Sequence, residues 1–145
     1  MVCAVALLVS HAAAAQTVAV SNAWVRTPAP SQKNAAVYMD LKAATSGALV
    51  AAGSPFAERA ELHSMSVEAG VMRMRPLQRV ELPGGQTVRL QPSGAHVMLV
   101  DLKRPLKAGD KVPLVLSVQS SGSSLTTLKI EAEVRDGDPA AAHKH

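Results

Sequence analysis

Thiols and aromatic rings are almost missing from this chain. Its 145 residues include one cysteine, Cys3, and a single Trp, Tyr and Phe, so aromatics make up only 2% of it. Blue-copper electron carriers need a cysteine thiolate beside two histidines, and thiol oxidoreductases need a reactive cysteine; neither class fits a chain whose one thiol sits at its extreme start. Single-stranded nucleic-acid binders use stacking aromatics together with clustered basic residues. Here the rings are lacking, Lys and Arg are scattered, and the net charge is only +4, so nucleic acid is not an expected partner. Nor is there an apolar run long enough to span a bilayer, or any internal repeat.

What is present suits one exported domain. Residues 1–15 read as an export signal: Val2 to Val9 is a short apolar run, and Ala13-Ala14-Ala15 before Gln16 offers the small residues that signal peptidase requires. The basic segment that normally precedes such a run is missing, which places the expected start of the leader upstream. Cys3 would leave with the leader, and no apolar run precedes it as a lipid-attachment cysteine would need. The mature chain is then free of thiols, and oxidising surroundings cannot cross-link it. Residues 16–135 are expected to form a single domain, long enough for one core built of Val, Leu, Ala and Met. Residues 136–145, with Pro139 and three alanines, are expected to be a disordered tail.

Within the domain, alternation of apolar and polar residues marks short strands. It is clear in Ala35 to Leu41 and Gln86 to Leu90, and clearest in Leu125 to Arg135. Further strands are expected at Ala23–Arg26, Gly47–Ala52, Arg59–Met65, Val71–Arg75, Ala95–Leu102 and Val112–Gln119. Turn signals such as Pro83-Gly84-Gly85 and Pro92-Ser93-Gly94 separate them. Strands at this density, without a helical period, predict an all-β sandwich or barrel.

The chemistry lies in histidine and methionine. His63 is followed after ten residues by Met74, and after twenty-one more by His96-Val97-Met98. Imidazoles with thioethers, and no thiolate, are a ligand set suited to Cu(I). His63 with Met65, Met72 with Met74, and His96 with Met98 are each two apart on an expected strand, so each pair projects from one face. A turn over Ser66–Gly70 would bring the first two strands together. Taken singly, each residue fits a plainer role, because methionine fills gaps in cores and a strand histidine can be a hydrogen-bonded structural residue. As a set they are harder to dismiss: both histidines of the domain have methionine two residues on, and Met39 is the only mature methionine outside the group.

The same residues resemble the periplasmic copper chaperones of the PCu(A)C family over nearly the whole mature chain. The spacing is met without a gap, and Ala23-Trp24-Val25-Arg26, Asn34 to Met39, Glu61-Leu62-His63, Gly70 to Arg75 and Leu102 to Leu106 look like the family's other recurring segments. The resemblance implies a cupredoxin-like β-sandwich of Greek-key type. It implies that His63, Met74, His96 and Met98 hold Cu(I), and that copper passes to the Cu(A) site during cytochrome c oxidase assembly. Met65 and Met72 would be auxiliary donors. Glu61 is either solvent-facing or a partner that orients His63.

Alternatives remain on the same residues. Buffering or sequestration of periplasmic copper without a dedicated acceptor would use the same site. A hydrolase would need His63 or His96 with Glu61 or Asp101, but no activated nucleophile is evident, so no enzyme activity is expected. A copper oxygenase with an N-terminal histidine would need cleavage before His11, which Leu8 disfavours. His143 and His145 in the tail could bind Cu(II) weakly, although a solvated end is the simpler expectation. Trp24 is expected to anchor the core, and the protein is expected to be a monomer.

Overall fold

The computed structural model describes residues 18–120, 122 and 124–137. The expected leader and most of the expected tail, including His143 and His145, lie outside the described residues.

The described residues form ten strands: β1 (Val18–Arg26), β2 (Ala35–Ala43), β3 (Gly47–Gly53), β4 (Ala57–Glu68), β5 (Val71–Leu77), β6 (Val80–Leu82), β7 (Thr87–Leu90), β8 (Ala95–Leu102), β9 (Lys111–Ser120) and β10 (Leu125–Arg135). Hydrogen bonding links them in the order β5-β4-β8-β2-β1-β10-β9-β3-β6, with β7 also paired to β2. Strands β3 and β4 stand near opposite ends of that order yet touch, so the sheet wraps over itself into two layers. A bulge between Ser21 and Trp24, with Asn22 at φ 51°, interrupts β1 between its partners β2 and β10. Bulges of this kind bend and twist a strand.

The core follows from the alternation. On β9, Val112, Leu114, Leu116 and Val118 are buried while their neighbours are not; on β2 the core set is Ala35, Val37, Met39, Leu41 and Ala43, with Tyr38 and Asp40 buried on the opposite face. Val97 and Leu99 of β8 and Leu62 of β4 join the same cluster. Aliphatic side chains carry this core, each of the larger ones (Val, Leu, Met) contributing about 1.5–3 kcal/mol by leaving water. Residues of opposite parity on β4 and β8 therefore face away from the core, among them His63, His96 and Met98.

The hairpin joining β4 and β5 is tighter than the sequence suggests. Register pairs Glu68 with Val71, leaving only Ala69 and Gly70 in the turn, both at positive φ (52° and 79°). That is the backbone of a type I′ turn, whose twist matches the strands it joins. Glycine adopts this conformation freely and alanine does not. Replacing Ala69 with Asn should stabilise the protein by about 1 kcal/mol, read from the urea unfolding midpoint at constant slope. No gain would mean that the turn relaxes in solution. On the face away from His63, Arg73 and Arg75 close on Glu68 at 3.3 and 2.8 Å and hold the hairpin together.

Candidate metal centre

Strands β5, β4 and β8 are consecutive neighbours, and their registers gather the expected ligands on one face. His63 is directly opposite His96, Met65 opposite Met74, Glu61 opposite Met98, and Val67 opposite Met72. Directly opposed residues share a face and lie within side-chain reach. All three same-face pairs expected from the sequence thus meet on one surface of three adjacent strands. Among the described residues, no group of three or more His, Cys, Asp or Glu side chains is placed to hold a metal. The other soft donors on this face are the methionine thioethers.

The two imidazoles are the fixed part of the site. Their ring centroids are 5.9 Å apart, edge to face at 73°. His63 Nε2–H donates to Glu61 Oε2 at 2.9 Å, and His96 Nδ1–H donates to the Gly94 carbonyl at 3.2 Å. Both partners are pure acceptors, so each ring is held in one tautomer and its other nitrogen carries a lone pair. Those other nitrogens, His63 Nδ1 and His96 Nε2, are two of the three buried side-chain polar atoms without a hydrogen-bond partner among the described residues. A buried acceptor left without a partner costs free energy. A bound cation would remove that cost, and the donor set of two imidazoles with Met65, Met74 and Met98 beside them fits soft Cu(I).

A chain of charged groups stands behind His63. Arg59 Nε–H donates to Glu61 Oε1 at 2.9 Å, and Arg59 reaches Asp101 at 3.3 Å. Asp101 itself has φ 56° and donates its backbone N–H to Asn34 Oδ1 at 3.2 Å. The Arg59 guanidinium, and after it the His63 ring, hold the Glu61 carboxyl below the usual carboxylate range. Glu61 is thus both partly exposed and hydrogen-bonded to His63 and Arg59.

On its other side, His96 packs against Tyr38 at a centroid distance of 6.0 Å, and Tyr38 packs on Trp24 at 4.8 Å. Trp24 is buried, but in this row behind His96, outside the aliphatic core cluster that the sequence led one to expect it to anchor. The participation of Tyr38 was not read from the sequence, though the i, i+2 parity of Ala36 and Tyr38 against the core residues of β2 carries the signal. Burial pushes the His96 imidazole below its ordinary range, a trend opposed by the Gly94 carbonyl and reinforced by His63.

The sign of that shift sets a pH dependence. Below about pH 6.5 the unfolded chain protonates His96 while the native chain still refuses the proton. Stability contributed by the neutral ring is therefore complete above that pH and lost as pH falls towards the lower native value. The urea midpoint should fall between pH 7.5 and 5.5, and fall less in His96→Gln. Equal falls in both proteins would contradict the assignment.

Comparison with known proteins bears on the family and the fold. A family model described as "Putative lipoprotein LpqE-like" matches residues 18–131. The chain is 32% identical over 120 residues to "Putative lipoprotein Lxx21020" of Leifsonia xyli subsp. xyli, covering 81% of this chain and 71% of that protein. Among solved structures it is similar to the apo PCuAC domain from PmoF1, with a TM-score of 0.66, 26% identity, and coverage of 83% of this chain and 94% of that one. It is also similar to apo-DR1885 from Deinococcus radiodurans, with a TM-score of 0.60, 30% identity, and coverage of 94% and 93%. The CuI form of DR1885 gives 0.54 at 31% identity, covering 81% of this chain and 77% of that one. The wrapped ten-stranded sheet is a cupredoxin-like β fold, as the sequence resemblance implied. Since the family model runs from the first residue of β1 into β10, this chain belongs to the LpqE-like, PCu(A)C family.

Proposed function

We propose that this protein is an exported Cu(I) carrier, and that His63 Nδ1, His96 Nε2 and the thioethers of Met74 and Met98 hold the metal. Met65, directly opposite Met74, is an auxiliary donor, and Glu61 keeps the His63 lone pair turned to the copper. The observation that carries this reading is the pair of buried imidazole nitrogens left without partners on a face rich in thioethers. Among relatives it is supported by a protein 31% identical whose CuI form has been solved. Two neutral imidazoles and two neutral thioethers leave Cu(I) with its single positive charge, whereas Cu(II) favours harder donors. Thioethers also bind less strongly than thiolates, so the metal can be surrendered to an acceptor that presents cysteines.

Delivery to the Cu(A) site during cytochrome c oxidase assembly is the destination we infer, with the protein acting in the periplasm as a monomer and without turnover of its own. Export is supported by the apolar run at Val2–Val9 and by a relative described as a putative lipoprotein. The test is anaerobic mixing of the Cu(I)-loaded protein with an apo Cu(A) domain, followed by separation and metal analysis of each. Copper is expected to move to the acceptor. Retention on this protein would assign it to buffering.

A further inference from the structure

Donor side chains on the site face form rungs of graded exposure that run inward from the hairpin tip. Met72 is outermost at 65% exposed, opposite Val67 at 67%; Met74 follows at 45%, opposite Met65; innermost are His63, with its side chain 16% exposed, and His96 at 2%. Residues two apart on a strand are about 6.8 Å apart along it, so two neighbouring unbranched methionine side chains can both reach a metal lying between them. The alternate positions of the same exposed strand, Arg73 and Arg75, are charged. An apolar, polarizable side chain at its most exposed same-face position therefore calls for a reason. Burial supplies none for Met72.

Access supplies one. His96 is buried against Tyr38, and beyond the histidines the row ends at Met98 opposite Glu61, whose carboxylate is engaged by Arg59 and His63. The open end of the row is the hairpin end, where the exposed thioethers of Met74 and Met72 lie. We propose that Met72 is a transient Cu(I) ligand through which copper enters and leaves the site, a role that rests on the Cu(I) reading of that face. On departure, a bond from copper to the Met72 sulfur forms as a bond to an inner imidazole breaks. Copper remains Cu(I), no electron moves, and the thioether neither takes nor releases a proton. Met74 and Met65 bridge the two positions, so the ion is never left without a soft donor. Because Met72 is absent from the resting ligand set, it lowers the barrier in both directions and leaves the equilibrium unchanged.

The test uses Met72→Leu, which keeps size and apolarity and removes only the sulfur. Anaerobic competition with a chromophoric Cu(I) chelator should give an affinity within about twofold of the parent. Stopped-flow loading from and unloading to the same chelator should both slow by about tenfold, a barrier raised by about 1.4 kcal/mol. Unchanged rates would overturn the relay while leaving the inner site intact. A loss of affinity as large as that of Met74→Leu would also overturn it, by making Met72 a resting ligand. A parent that takes up no Cu(I) would overturn both the relay and the site on which it rests.

Discussion

Replacing His96 with alanine is expected to lower Cu(I) affinity by more than about a hundredfold, beyond the loss usual for removing a residue that only supports a ligand. His96 is 2% exposed and its Nε2 is buried without a partner, so water would take its place poorly and is in any case a hard ligand for a soft ion. The neighbouring donors cannot fill in from the same direction, because His63 approaches edge-on from the next strand and Tyr38 closes the other side. The loss is measured by anaerobic competition, with the unfolding midpoint taken alongside because the substitution also removes a ring packed on Tyr38. A folded His96→Ala protein that binds Cu(I) like the parent would remove the histidine from the ligand set.

Glu61→Ala should cost about tenfold to a hundredfold in Cu(I) affinity without touching the metal. With the carboxylate present, the proton is held on His63 Nε2 and the lone pair on Nδ1 is free for copper. Without it, the two tautomers compete and the ring loses its anchor. Glu61→Gln keeps an acceptor oxygen in place and should lose less than the alanine variant. The signature specific to orientation is the imidazole nitrogen NMR spectrum of the apo protein, in which His63 should pass from one tautomer to a mixture. An unchanged spectrum together with unchanged affinity would return Glu61 to the solvated surface, where its pairing with exposed Arg59 is worth little.

Much of this site is legible in the amino-acid order because strand periodicity is a local property. The i, i+2 spacing of His63 with Met65, Met72 with Met74 and His96 with Met98 fixes which side chains share a face, and the structure keeps all three pairs. The turn was placed less well. Ser66 to Glu68 continue the strand as far as Ala69-Gly70, because a two-residue turn at positive φ suffices and the alternation carries on through Val67. The three-residue β6 was missed, being too short for any period to declare itself.

What no local pattern could supply is the placement of β8 beside β4. Their pairing joins segments separated by the whole of β5, β6 and β7, and its register sets His63 against His96 instead of against a neighbour. The consequence is that the expected ligands lie together on the broad face of three adjacent strands. Burial of His96 is likewise tertiary, since it depends on Tyr38 and Trp24 from β2 and β1 lying in the same row. The Arg59–Asp101 contact behind Glu61 also crosses between strands, and only the folded chain reveals it.

The central claim is that one Cu(I) sits on the β5-β4-β8 face between two imidazoles and two thioethers. X-ray absorption at the copper edge of the anaerobically loaded protein tests it most directly. The account predicts an edge of cuprous form and an inner shell containing both nitrogen and sulfur, with the sulfur contribution diminished in Met74→Leu and in a Met98→Leu variant. A shell of nitrogen and oxygen alone, or a sulfur contribution that survives both substitutions unchanged, would contradict it.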